Sequence, residues 1–111
     1  MSMSAPGAGS RSRSVVERRL SDVAGQLRDL RRELIIADEQ LAHLVDVADE
    51  ARIRSLVSET PLAEREQREA VRHAEAMRRH RSEVAAEVAQ LEAAQDELLD
   101  RFLEDAEPAG P

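Results

Sequence analysis

Two apolar heptad tracks run in opposite senses about one point of the chain, and this mirror relation constrains the fold more than any other feature. In each track, apolar residues recur at alternating intervals of three and four, which is typical of the buried seam of a coiled coil. Facing positions have residue numbers that sum to 118, as in Leu27 with Leu91, so the centre falls at position 59. The sequence therefore predicts an all-α fold, a long antiparallel two-helix coiled-coil hairpin. The tracks are Val16, Leu20, Val23, Leu27, Leu30, Leu34, Ala37, Leu41, Leu44, Ala48 and Ala70, Ala74, Met77, Arg81, Val84, Val88, Leu91, Gln95, Leu98, Phe102.

A turn signal lies at the centre of this mirror. The segment 58–60 is polar and is followed by Pro61. Thr60 can cap the N-terminus of a helix, and Pro61 suits the first helical position, where its missing N–H needs no partner. We therefore expect the chain to reverse direction there, so that each seam residue faces a seam residue of the other helix.

The remaining boundaries follow from caps and local composition. Ser14 is a suitable N-cap for the first helix, and Glu17 three residues later completes a capping box. Both ends of the chain are rich in small residues and Pro without apolar periodicity, which is typical of disorder. We expect a disordered tail at 1–13, a helix at 14–57, a turn at 58–60, a helix at 61–105 and a second disordered tail at 106–111.

The composition agrees with a coiled coil and disfavours several classes of function. Charged residues make up 35% of the 111 residues and aromatic residues 1%, and there is no cysteine, so burial depends on Leu, Val and Ala. No window is apolar enough to cross a bilayer and we see no secretory signal, so we expect a cytoplasmic protein. A two-helix hairpin offers no concave, water-poor pocket, so we expect no catalysis, no cofactor and no small-molecule substrate.

Charge is arranged in alternating blocks that favour the same hairpin. Residues 1–36 and 67–81 are rich in arginine, whereas 37–66 and 82–111 are rich in acids, so a fold at position 59 places opposite charges side by side. The net charge of −7 disfavours nucleic-acid binding, because phosphate neutralisation needs a positive surface. The nucleic-acid hypothesis that remains is a weak, salt-sensitive contact through Arg11, Arg13, Arg18 and Arg19.

Two polar residues interrupt the second track. Arg81 and Gln95 face Ala37 and Val23 across the predicted seam. A polar residue at an isolated seam position fixes the register of a coiled coil at some cost in stability. We interpret both residues in this way, with an anion or partner contact as the alternative for Arg81.

The seam also changes near the turn. Ile53, Leu56 and Val57 take the place of the regular continuation at Ser55, which predicts a stutter in the heptad repeat. Leu56 mirrors Leu62, so we expect the tip to close on its own small apolar cluster.

The three histidines have no metal-binding spacing. His73 and His80 are seven residues apart, which separates them by about 10 Å along a helix, and His43 lies on the other helix. Helical metal ligands recur at intervals of three or four with a third ligand converging on them. We therefore expect no metal site.

Several apolar residues fall outside the stripe that a two-helix seam can bury. Additional helices normally cover a stripe this wide. The simplest partner is a second copy, which would give a homodimer with a four-helix bundle, and a helix of another protein is the alternative. The sequence thus predicts a non-catalytic coiled-coil structural and protein-interaction module that self-associates through Ile35, Ile36, Val45, Val71 and Leu99.

Acidic residues near the turn give a second hypothesis. A long hairpin with an acidic tip is similar in outline to the coiled-coil arm of the Gre transcript-cleavage factors, which reach into the RNA polymerase channel. The characteristic tip sequence of those factors is absent here, so no residue roles are carried over. The resemblance implies, as an alternative function, a transcription-machinery accessory factor that inserts a hairpin tip bearing Asp46, Asp49, Glu50 and Glu59 into a partner complex.

Overall fold

The computed structural model describes residues 8–106, and these form two long helices. Helix α1 spans Ala8–Ser58 and helix α2 spans Pro61–Ala106, with no strand among the described residues. The predicted all-α helical hairpin is confirmed. Within this part of the chain, neither helix contains a segment long and apolar enough to cross a membrane. Of the two predicted tails, residues 1–7 and 107–111 lie outside the described range.

The predicted start of the first helix is wrong. Helix α1 begins at Ala8, so Ser14 lies inside the helix rather than at its cap. Arg13 accounts for part of this extension, because its Nε lies 3.6 Å from Oε1 of Glu17, one turn further along the helix. Its guanidinium also lies over the ring of Phe102, 5.0 Å from the ring centroid. These contacts favour helical backbone at residues that composition alone assigned to a tail.

At the other end, α2 runs one residue past the predicted Asp105.

The first of two compact units consists of residues 8–29 and 88–106. Its core is a seam of large aliphatic side chains, and Leu27 is the most enclosed at 1% exposure. The stacking of Arg13 on Phe102 joins the start of α1 to the end of α2, as an antiparallel pair requires. The other buried members of this seam are Val16, Val88 and Leu98.

The second unit, Leu30–Glu87, contains the turn and has a different core. Most of its buried residues are alanines, which permit close approach of two helices but bury little apolar area each. Polar contacts join the helices: Arg81 Nε donates to Asp38 Oδ1 in an ion pair, and His80 Nε2 lies 3.4 Å from Glu33 Oε1. The buried residues here are Ala37, Ala51, Ala63, Ala70, Ala74 and Val84.

The predicted stutter near the turn is also wrong. Ala51 is buried and Ser55 is half-buried, so the heptad seam of α1 continues in register to the end of the helix. On α2, Ala63 is buried and Gln67 is half-buried, and their numbers mirror Ser55 and Ala51 about position 59. The alternation of three and four therefore extends to the turn, with small and polar side chains in place of leucine.

The turn has the predicted cap on one side and a strained residue on the other. Thr60 caps α2, because its Oγ1 accepts a hydrogen bond from the N–H of Ala63 at 3.1 Å. Glu59 has a φ of 52° and donates its N–H to the carbonyl of Ser55 at 3.0 Å. This is the left-handed residue that commonly ends a helix, a position where glycine is the usual choice. Glu59 and Thr60 are thus the two residues that connect α1 to α2.

Candidate interaction surface

The two helices present equivalent heptad positions on the same flank. Antiparallel helices are related by a local two-fold axis at right angles to their length, and this axis places like positions side by side. Glu33 and His80 show it directly, because each immediately precedes a seam residue and the two side chains are in contact. We call the side that carries this pair the polar flank of the Leu30–Glu87 unit.

The opposite side of this unit is its apolar flank. Each residue on it directly follows a seam position of its helix, and each of the two resulting sets recurs every seven residues. Gln67 and Ser55 at the seam, with Val71 and Arg68 beside them, line a shallow groove on this flank. The apolar flank comprises Ile35, Asp38, Ala42, Val45, Asp49, Arg52 and Leu56 on α1, and Glu64, Arg68, Val71, Glu75, Arg78, Ser82 and Ala85 on α2.

Three of the five predicted interface residues share this flank. Ile35 is 59% exposed and Val71 is 38% exposed, whereas Val45 is half-buried beside the seam. Val45 and Val71 occupy equivalent heptad positions on the two helices. The flank therefore combines two partly exposed valines at its centre with a more exposed isoleucine, Ile35.

The other two predicted interface residues lie elsewhere. Ile36 is 53% exposed, but it is about 100° further round α1 than Ile35, which places it towards the polar flank. Leu99 is 42% exposed and occupies the heptad position of Val71, but it belongs to the unit formed by residues 8–29 and 88–106. The Leu30–Glu87 unit therefore places Ile35, Val45 and Val71 on one flank, with Ile35 about 15 Å along α1 from Val45.

The tip differs from its predicted character. Leu56 is 66% exposed and Leu62 is 60% exposed, so the expected apolar cluster is wrong: these side chains lie outside the seam, which Ser55 and Ala63 occupy instead. Val57, beside Leu56, is 80% exposed. Exposed apolar side chains therefore lie on both sides of the turn. In the sequence, the only indication of this surface was that apolar residues flank the turn signal.

The four predicted tip acids are all exposed but do not converge. Asp46, Asp49 and Glu50 lie on α1 at 8 to 12 residues before its end at Ser58, whereas Glu59 is in the turn itself. At 1.5 Å per residue, Asp46 lies roughly 20 Å from Glu59 along the helix. Among residues 8–106, no three histidine or carboxylate side chains are grouped so that they could hold a metal ion. The tip-insertion hypothesis remains a prediction.

Arg81 occupies the seam as predicted, with its charge directed to one edge. The residue is half-buried, and its guanidinium pairs with Asp38, which directly follows the buried Ala37. The alanine leaves room for the aliphatic stem of Arg81, while the charged end remains near solvent. In the described part of the chain, no polar or charged residue is fully buried. This pairing accounts for Arg81 without an external anion.

Comparisons with known proteins give no family. No protein-family model, no curated protein and no solved structure matches the chain.

Proposed function

We propose that this protein is a non-catalytic coiled-coil interaction module that self-associates through the apolar flank of its Leu30–Glu87 unit. The observation that supports the proposal is the grouping of Ile35, Val45 and Val71 on one flank, beside a seam that is too narrow to cover them. Burial of apolar side chains is the main favourable contribution to most protein association. A second hairpin supplies the same surface, and a shared two-fold axis gives a closed assembly with four helices.

The composition of the flank supports association of modest strength. Its centre is apolar, and acidic and basic residues of both signs border that centre, as in interfaces with an apolar core and a polar rim. Each exposed ion pair at such a rim contributes well under 1 kcal/mol. The aliphatic side chains therefore supply most of the affinity, and the charges select the partner and its direction.

Sedimentation equilibrium of the full chain at tens of micromolar tests the proposal. We expect a dimer, and we expect Ile35→Gln to shift the protein towards monomer because it replaces an exposed apolar side chain of the flank with an amide. Ile36→Gln is the matched control, since it alters an adjacent isoleucine of similar exposure on the other side of the helix. A wild-type monomer, or equal loss in both variants, would reject self-association through this flank.

A further inference from the structure

The apolar flank has an internal symmetry of charge that a second copy can match. Along α1, Val45 is at the centre, with Asp38 seven residues before it and Arg52 seven residues after it. Along α2, Val71 is at the centre, with Glu64 before it and Arg78 after it. On both helices, residues at equal distance from the valine thus carry opposite charge, and all six residues lie within the Leu30–Glu87 unit.

The residues at the outer edge of the flank follow the same symmetry. Ile35 and Leu56 lie ten residues before and eleven residues after Val45, and both side chains are among the exposed large hydrophobics. On α2, Arg68 and Glu75 lie on either side of Val71 with opposite charge. A hairpin turned end for end therefore places Ile35 opposite Leu56 and each of these charged residues opposite a residue of the other sign, while Ala42 faces Asp49.

Resting on the self-association proposed above, we infer that two copies pack apolar flank to apolar flank with their turns pointing in opposite directions. The two-fold axis passes through the level of Val45 and Val71. Each α1 then faces the α1 of the second copy, and each α2 faces the other α2. Ile35 of one chain covers Leu56 of the other, and Arg68 of one chain meets Glu75 of the other.

The opposite arrangement, with both turns at the same end, also pairs opposite charges, since Asp38 would face Arg78 and Arg52 would face Glu64, but it loses the contact of Ile35 with Leu56. It would place α1 of one chain against α2 of the other, with facing residue numbers that sum to about 117. Ile35 would then face Ser82, and Leu56 would face the turn region. Asp49 and Arg68 would pair in this arrangement, so the two directions make different predictions for charge-reversed variants.

Mixing two charge-reversed proteins distinguishes these arrangements. In the inferred dimer, Arg68→Glu and Glu75→Arg each create two like-charge contacts, and each alone should weaken self-association by about tenfold. In a mixture of the two variants, both contacts regain opposite charges, so we expect heterodimers to form in preference to either homodimer. Arg68 and Glu75 are seven residues apart on one helix, about 10 Å, so pairing within a chain does not explain such a rescue. Arg65→Glu, away from this flank, is the control and should self-associate as the wild type does.

Spin labels give an independent measure of direction. The chain has no cysteine, so Ser58→Cys introduces a single labelling site beside the turn. The inferred dimer separates the two labels by about 40 Å, from 13 residues of helix on each side of Val45. Labels within about 20 Å of each other, or a dimer without preference for mixed pairs, would overturn the inferred direction and leave self-association intact. A monomer at 100 µM would overturn both this inference and the proposed function.

Discussion

The backbone of Glu59 is strained, and its exposed side chain does not depend on that conformation. Its φ of 52° lies in the left-handed region, which costs an L-residue with a Cβ roughly 1–2 kcal/mol. The tight turn imposes this conformation, because the N–H of Glu59 closes the last turn of α1 on Ser55. The side chain is exposed and is free to be changed without altering the core.

We expect Glu59→Gly to raise the free energy of unfolding by about 1 kcal/mol. Glycine adopts the left-handed conformation without a steric penalty, although it loses more chain entropy on folding. Urea denaturation followed by circular dichroism measures the change. Glu59→Ala retains a Cβ and serves as the control, for which we expect no such gain. Equal stability of the glycine and alanine variants would contradict the assigned backbone conformation.

At the scale of the helix, Gly25 is the only glycine of α1 after Arg11, and glycine is a poor helix former. A Cβ built on Gly25 would meet only Nη2 of Arg28, at 3.9 Å, which is an ordinary van der Waals contact with a flexible side chain. No close neighbour therefore requires glycine at this position. Its presence lowers helix stability without a compensating contact in the described structure.

We expect Gly25→Ala to stabilise the protein by about 1 kcal/mol, which is the difference in helix propensity between the two residues. Ala93→Gly is the matched reverse change on an exposed position of α2 and should destabilise by a similar amount. Thermal unfolding of both variants, at one protein concentration, measures the pair. A loss of stability in Gly25→Ala would contradict the open surroundings of Gly25 described above.

The helices also show which parts of the fold could be read from the sequence. Leucine and valine at intervals of three and four predicted the seam, and Thr60 with Pro61 predicted the start of α2, because these signals act locally. The seam near the turn was missed, because Ala51, Ser55 and Gln67 carry too little hydrophobicity to stand out. The mirror relation about position 59 would have revealed them, since Ser55 with Ala63 and Ala51 with Gln67 both satisfy it.

Two other features depend on tertiary contacts and had no clear local signal. The segment before Ser14 is helical although its composition is typical of a tail, and the contact of Arg13 with Phe102 joins residues far apart in sequence. Ile35 and Ile36 were predicted to share an interface because both fall outside the stripe that the seam can bury. On the helix they point in different directions, and only Ile35 lies on the flank of Val45 and Val71.

For the whole molecule, the proposed association predicts stability that depends on protein concentration. A ligand that binds only the folded state raises the apparent free energy of unfolding, and a second copy acts as such a ligand. We expect the thermal midpoint of the wild type to rise measurably between 2 and 200 µM. For Val71→Gln the midpoint should be independent of concentration over the same range. A wild-type midpoint that does not move would count against a dimer at these concentrations.

The alanine-lined seam of the Leu30–Glu87 unit has a consequence for how that unit persists in solution. Each buried methyl group contributes far less than a leucine side chain, so helical hydrogen bonds near the turn are protected by little apolar area. Backbone amides there should exchange with deuterated solvent sooner than those around Leu27. Binding of a second copy to the adjacent flank should slow exchange most where the seam buries the least apolar area. The exchange rates of backbone amides near Ala51 and Ala70 would therefore report whether the flank is covered.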